Sequence, residues 1–266
     1  MVKVYKGKNP LYMKAAKWYA GGIAIALPMI ALAYNKIATD MVLFLLGAAV
    51  AGIALSITWP KGNMYLSGSI GEYRVLRWLK KEVPDGSVIF TSVRVHERME
   101  SDIVVVSPIG VFIIEVKNYN GDIEGSDGKE NWILHKTGRK GGHYTAKVRN
   151  PQLQLKRNTF IVAEFLRQKG MRQVWVEGFT VFTGKGSFIG CIPDRCMKGS
   201  RECMEVIIHC VHQLNKNRGM LLSEDQIEKA AGFLMECVQD EPAMKQDDFE
   251  ATLQARKNSR RSVAGR

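Results

Sequence analysis

Residues 110–121 read GVFIIEVKNYNG, an apolar run that ends on an acid and a base two residues apart, Glu115 and Lys117. Side chains at i and i+2 of a strand lie on one face, so these two project together from the end of a buried segment. Just upstream, ESDIVVV (100–106) is a second β-rich run, and SPIG (107–110) joins the two with Ser, Pro and Gly at positions i, i+1 and i+3 of a type I turn. With a two-residue turn Ser107 faces Gly110, and the same register sets Asp102 opposite Glu115. Facing residues have Cβ atoms about 4.5–5.5 Å apart, which is repulsive for two carboxylates unless a cation lies between them. A bulge at Gly110 would slip the register by one and turn the acids to opposite faces. Two readings of the residues stand at this point. Glu115 and Lys117 form an ion pair at a sheet rim, worth little, or they belong to a site. In the second case Asp102 and Glu115, with waters and a substrate phosphate, suit magnesium, which keeps much of its hydration and uses few carboxylates. Lys117 would then orient or help deprotonate a water, or offset charge on a scissile phosphate.

Helical spacing precedes the hairpin in SGSIGEYRVLRWLKKEV (67–83), where Ile70, Tyr73, Val75, Leu76, Trp78 and Leu79 recur before Pro84 and Gly86 stop the run. VIFTSVRV (88–95) reads as a strand by its β-branched content. Downstream, Asn150 and Pro151 open a helix to Lys169, QVWVEGFTVF (173–182) and SFIGCI (187–192) read as strands, and helices follow near 200–217 and from a Ser223 cap to about Val238. This order predicts an α/β domain with a mixed sheet flanked by helices. From Asp240 the chain is highly charged and ends in RKNSRRSVAGR, the composition of a mobile tail over 240–266.

The first sixty residues are of another kind. Trp18–Tyr34 carries no charge and is interrupted only by Pro28, and Met41–Trp59 is a second uncharged stretch. About 17–25 apolar residues span a bilayer as a helix, so both are long enough, and the short connection allows only a tight helical hairpin. A second apolar run immediately behind the first argues against a cleaved signal peptide, and a buried helical pair is the competing reading. Lys3, Lys6, Lys8, Lys14 and Lys17 precede the first stretch, and Lys61 follows the second. The positive-inside rule then puts both termini and the soluble part in the cytoplasm. Trp18, Tyr19, Tyr34 and Trp59 stand at the edges, where amphipathic rings prefer the interface. The expected organisation is a membrane anchor over 1–60 with spans 18–34 and 41–59, a globular domain over 61–185 and an α/β extension over 186–239.

The net charge is +12 over 266 residues; six lysines and one aspartate give residues 1–60 a charge of +5, leaving +7 for the rest. Such an excess suits a polyanion or an acidic membrane surface. Five cysteines, an odd number without a C-x-x-C pair, give little support to a disulfide framework or a tetrahedral zinc site and agree with a reducing compartment. His209 and His212 beside Cys210 could ligate a metal, or pack or face solvent on a helix.

Four segments together resemble the nuclease-related domain family, NERD, of the PD-(D/E)XK nuclease-like superfamily. GSIGEYRVLRWL carries the Gly-Glu start of a first helix, ESDIVVV the acid, GVFIIEVKNYNGDIEG the E-x-K strand, and NPQLQLKRN an Asn-Pro-x-x-Gln. The resemblance covers roughly residues 67–185. It implies a restriction-endonuclease-like mixed sheet, a Mg2+ (or Mn2+) ion held by Asp102, Glu115 and Glu72, Lys117 as base or electrostatic helper, and Gln154 beside the centre. Ser101 stands where the superfamily pattern has proline, a position of strand geometry rather than chemistry. Glu72 read alone also fits the first turn of a helix, where acids complement the dipole, and Gln154 read alone fits a helix surface.

Between His135 and Asn150 the chain carries Lys136, Arg139, Lys140, Lys147 and Arg149 and no acid, with Lys156 and Arg157 on the next helix. This is either a solvated basic stretch or a surface for phosphates, which bind by charge and largely ignore sequence. The expectation is a membrane-anchored, metal-dependent nuclease-like protein acting without sequence specificity on nucleic acid, DNA ahead of RNA, at the cytoplasmic face. The alternative is a catalytically inactive, membrane-tethered adaptor that binds nucleic acid or protein with the same fold.

Overall fold

The computed structural model describes residues 1–7, 9–36, 41–97, 99–138 and 140–238. Arg139 and the charged tail therefore lie outside the described residues. The chain forms two compact units, one made of Met1–Gly7 with the chain from Arg74 onward and the other of Lys8–Tyr73.

The larger unit is built on a six-stranded mixed sheet in the order β1-β2-β3-β4-β8-β9. Its strands are β1 (Lys3–Lys6), β2 (Val88–His96), β3 (Met99–Ser107), β4 (Gly110–Lys117), β8 (Val176–Phe182) and β9 (Cys196–Lys198). β2, β3 and β4 run antiparallel in sequence, whereas β1 on β2, β8 on β4 and β9 on β8 are parallel. The β3–β4 turn is the two-residue one: Ser107 pairs with Gly110 and Ile103 with Ile114. Gly110 has φ +127°, a conformation that costs a side-chain-bearing residue dearly. It does not bulge, because Ser107 Oγ donates to its carbonyl (3.0 Å) and Asn215 from the C-terminal region donates to the Ile109 carbonyl.

Alternation along the strands divides the core. Val104, Val106, Val111 and Ile113 point to the face covered by α3 (Pro151–Gln168) and α5 (Glu224–Glu236). Val105, Phe112, Ile114 and Val116 point to the other face, against α4 (Arg201–Asn217) and the last turns of the long helix α2 (Met41–Glu82), which bring Val75, Leu76 and Leu79. Glu115 and Lys117 thus continue the α3 face. α3 starts where the sequence places it, since Asn150 caps the Gln152 N–H (2.9 Å) and Pro151 needs no donor partner. α3 lies close on β8 because Gly178 has no Cβ; one built there would stand 2.4 Å from Thr159 Oγ1.

Two parts differ from the sequence reading. Residues 122–149 form a separate antiparallel sheet of β5 (Asp122–Glu124), β6 (Asn131–Thr137) and β7 (His143–Arg149), where the sequence shows only a basic stretch. Trp132, Leu134 and Ile123 of that sheet pack with Phe182 and Cys196. SFIGCI is not a strand: Phe188 makes one isolated bridge with Ile123, Ile189 and Ile192 are exposed, and the ninth strand forms later, at Cys196.

In the Lys8–Tyr73 unit, α1 (Pro10–Lys36) and the first part of α2 form a helical hairpin. Residues Pro10–Leu32 of α1, and α2, are long and apolar enough to cross a membrane. The helices approach closely at Gly22, where a Cβ would stand 2.2 Å from Thr58 Oγ1, and at Gly62 beside the Tyr19 ring. Rather than filling a core, Leu27, Leu32, Leu45 and Ile53 are each more than half exposed.

Candidate functional site

Asp102, Glu115, Lys117 and Gln154 come together at the end of β4, on the α3 side of the sheet. The described ladder between β3 and β4 ends at Ile103 and Ile114, and beyond it the Asp102 side chain replaces a backbone partner. The Val116 N–H donates to Asp102 Oδ2 at 2.7 Å, which fixes that carboxylate beside β4. Glu115 is 1% exposed and accepts from Lys117 Nζ through Oε1 at 2.5 Å, while its Oε2 has no hydrogen-bond partner. Lys117 Nζ also donates to Gln154 Oε1 at 3.3 Å. Because an ammonium only donates, this contact leaves the Gln154 NH2 group turned away from Lys117 and available to an acceptor.

The electrostatics follow from burial. Burial, then the Asp102 charge, pushes the Glu115 carboxyl up to about 8 against the pull of Lys117. Burial also raises Asp102, opposed by Lys117 and by the Val116 hydrogen bond. Lys117 is held above its ordinary range: burial works against its charge, but Glu115 and Asp102 outweigh it. Two buried carboxylates therefore share one cationic side chain, and one carboxylate oxygen remains unmatched. An unpartnered buried polar atom costs free energy, and a divalent cation would both supply a partner and offset the surplus negative charge. The donor set is oxygen-only, which suits magnesium or manganese better than zinc. Among the described residues no three His, Cys, Asp or Glu side chains gather as a metal site, so an ion held here would keep waters among its ligands.

The remaining candidates are distributed. Glu72 belongs to the Lys8–Tyr73 unit, where its Oε2 accepts from Asn9 Nδ2 at 2.7 Å. Lys136 and Tyr144 pair on one face of the β6–β7 hairpin, while Lys147, paired with Ile133, and Arg149, paired with Asn131, lie on the opposite face. Lys140 is exposed in the hairpin turn, and Lys156 and Arg157 are exposed on α3. Two groups escaped the sequence reading. Glu100, two residues before Asp102 on β3, adds its charge to both carboxylates, and Tyr119 acts electrostatically on Lys117. The i, i+2 spacing from Asp102 and Lys117 is the signal that points to each.

Residues 67–183 match the nuclease-related domain, NERD. The NERD family belongs to the PD-(D/E)XK superfamily, and the matched segment contains all four clustered residues together with Glu72. A stretch of 123 residues is 30% identical to a protein described as the probable kinase PglW of Streptomyces coelicolor; it covers 43% of this chain and 7% of that relative. No solved structure gives a significant match.

Proposed function

We propose that the NERD segment is a metal-dependent phosphodiesterase acting on nucleic acid, tethered to a membrane by α1 and the first part of α2. The observation that carries the chemistry is the unmatched Glu115 Oε2 beside Asp102, with Lys117 on the same carboxylate. Asp102 and Glu115 would hold Mg2+ or Mn2+, with waters completing the ligands. When bound, such an ion supplies Lewis acidity and a water more acidic than bulk. The chain's own residues do the rest. Asp102 is held in place by the Val116 N–H through Oδ2. Lys117, cationic at neutral pH, lies where it can offset negative charge growing on a phosphate. Gln154 turns its amide N–H groups away from Lys117, toward a phosphate oxygen or a water.

Substrate class follows from charge. The exposed basic residues of β7, the β6–β7 turn and α3 favour a polyanion held through its backbone, so contact without sequence specificity is expected. The full chain in detergent, given labelled single-stranded, double-stranded and branched DNA and RNA with Mg2+ and then with a chelator, tests this directly. Cleavage in metal alone supports the phosphodiesterase. Salt-sensitive binding without cleavage in either condition supports an inactive adaptor instead.

Membrane attachment rests on the exposed apolar residues of the hairpin and on an interfacial cluster at one end of it. Lys61 Nζ lies 4.3 Å from the Trp18 ring centroid, the Tyr19 and Trp59 rings are 5.0 Å apart, and Tyr19 donates to Asn63 (2.7 Å). Such aromatic and basic groups collect at headgroup level. Strand β1, which precedes α1, is hydrogen-bonded into the same sheet as the strands that follow α2. That pairing supports a reading in which residues before and after the hairpin share one side of the bilayer, and the lysine excess before α1 supports a cytoplasmic side. Tags at the two termini of the full chain are expected to be cut together by protease added to inverted vesicles. Cutting of only one tag would contradict the two-span arrangement.

A further inference from the structure

A second unmatched buried group stands beside the first. In the parallel β4–β8 ladder Glu115 pairs with Thr180, and partners in register present their side chains on the same face. Thr180 is fully buried and its Oγ1 lacks a hydrogen-bond partner, as does Glu115 Oε2 on the neighbouring strand. On its other side Thr180 pairs with Cys196 of β9, and a weak hydrogen bond between hydroxyl and thiol pulls the Cys196 pKa down against burial, but it falls outside normal hydrogen-bond geometry and leaves Oγ1 without a well-formed partner. A buried threonine that only fills space can be replaced by valine without loss, and a hydroxyl left unmatched there is a cost that packing alone does not explain.

The backbone around Thr180 is fixed with care. Its N–H donates to the Arg195 carbonyl at 2.8 Å, and Arg195 has φ +56°, a left-handed conformation uncommon outside glycine, asparagine and aspartate. β9 begins at the next residue, Cys196, and the Arg195 guanidinium is tied to Glu177 of β8 at 2.7 Å. These contacts fix the Thr180 backbone, and with it the strand position from which the hydroxyl projects.

Resting on the metal-centre reading above, we infer that Thr180 is a positioning residue of that centre: its hydroxyl donates to Glu115 Oε2 when the site is loaded. Each carboxylate oxygen has two lone pairs, so a hydrogen bond from Thr180 on Oε2 and one from Lys117 on Oε1 still leave Glu115 able to ligate. Between them the two donors fix the carboxylate plane, the function that outer-shell hydrogen bonds serve around metal ligands. Sequence alone gives no sign of this residue, because FTVF reads as an ordinary buried strand.

The test uses the full chain in detergent, with Mn2+ affinity followed by the electron paramagnetic resonance of the free ion and thermal unfolding followed without metal. Thr180→Val is expected to unfold at the same or a higher temperature than wild type but to bind Mn2+ about tenfold more weakly. Thr180→Ser, which keeps the hydroxyl, is expected to bind within about twofold of wild type, allowing for the scatter of single hydrogen bonds. Wild-type affinity in Thr180→Val would overturn the assignment while leaving the metal centre standing. A lowered unfolding temperature with weak binding in both variants would also overturn it, making Thr180 a packing residue. A wild-type chain that binds no Mn2+ would overturn this inference and the metal reading together.

Discussion

A Lys117→Met chain is expected to cleave its nucleic-acid substrate about 10²–10³-fold more slowly than wild type under saturating metal, while remaining folded. Methionine preserves most of the length and the apolar stem of lysine, so the packing at the end of β4 changes little. What it removes is the ammonium that sits 2.5 Å from Glu115 and 3.3 Å from Gln154. Three effects then coincide. A positive group placed to offset charge on the phosphate is lost, and Gln154 loses the donor that sets its orientation. Asp102 and Glu115 also lose a partner that lowers both their pKa values. Turnover should fall more than substrate affinity, because the basic residues of the small sheet and α3 are untouched. Equal losses in KM and kcat would instead mean that Lys117 serves the protein as an ordinary ion pair.

The second large effect is on metal binding. Asp102→Asn is expected to weaken Mn2+ binding at least about 100-fold, beyond the usual range for outer-shell changes, since the substituted group is a ligand itself. The fold should survive, because an asparagine carbonyl oxygen can still accept the Val116 N–H. The metal-free variant should be no less stable than wild type, as it removes the charge that raises Glu115. Calorimetric titration with Mn2+ and a melting curve without metal check both parts. Unchanged Mn2+ binding in Asp102→Asn would show that this carboxylate serves only to cap Val116.

The hairpin that holds the site was legible because three local signals agreed: β-branched runs, a Ser-Pro-x-Gly turn, and acids spaced for one face. The register followed from the two-residue turn, and Ile103 paired with Ile114 confirms it. Asn150 and Pro151 announced α3 through capping chemistry, and with it the turn that carries Gln154. The small sheet was hidden for a physical reason. β7 has exposed side chains on both faces, and β5 is only three residues long, so neither shows the alternation from which strands are read. SFIGCI misled in the opposite sense, its apolar residues lying in a loop while the strand formed at Cys-Met-Lys. β1, four residues with two lysines, pairs only because an edge of β2 is open to it. Glu100 stood within ESDIVVV at i, i+2 spacing from Asp102 without being singled out, whereas Thr180 lay outside any motif and emerges only when the strands are set side by side.

Cleavage of a labelled substrate by the full chain in Mg2+ or Mn2+, alongside Glu115→Ala/Lys117→Ala at matched concentration, tests the central claim most directly. Metal-dependent cleavage by the wild type, absent from the double variant while nucleic-acid binding persists, is the expected result. Equal cleavage by both proteins would place the chemistry elsewhere, and binding without cleavage in both would mean that the fold serves as a tethered adaptor.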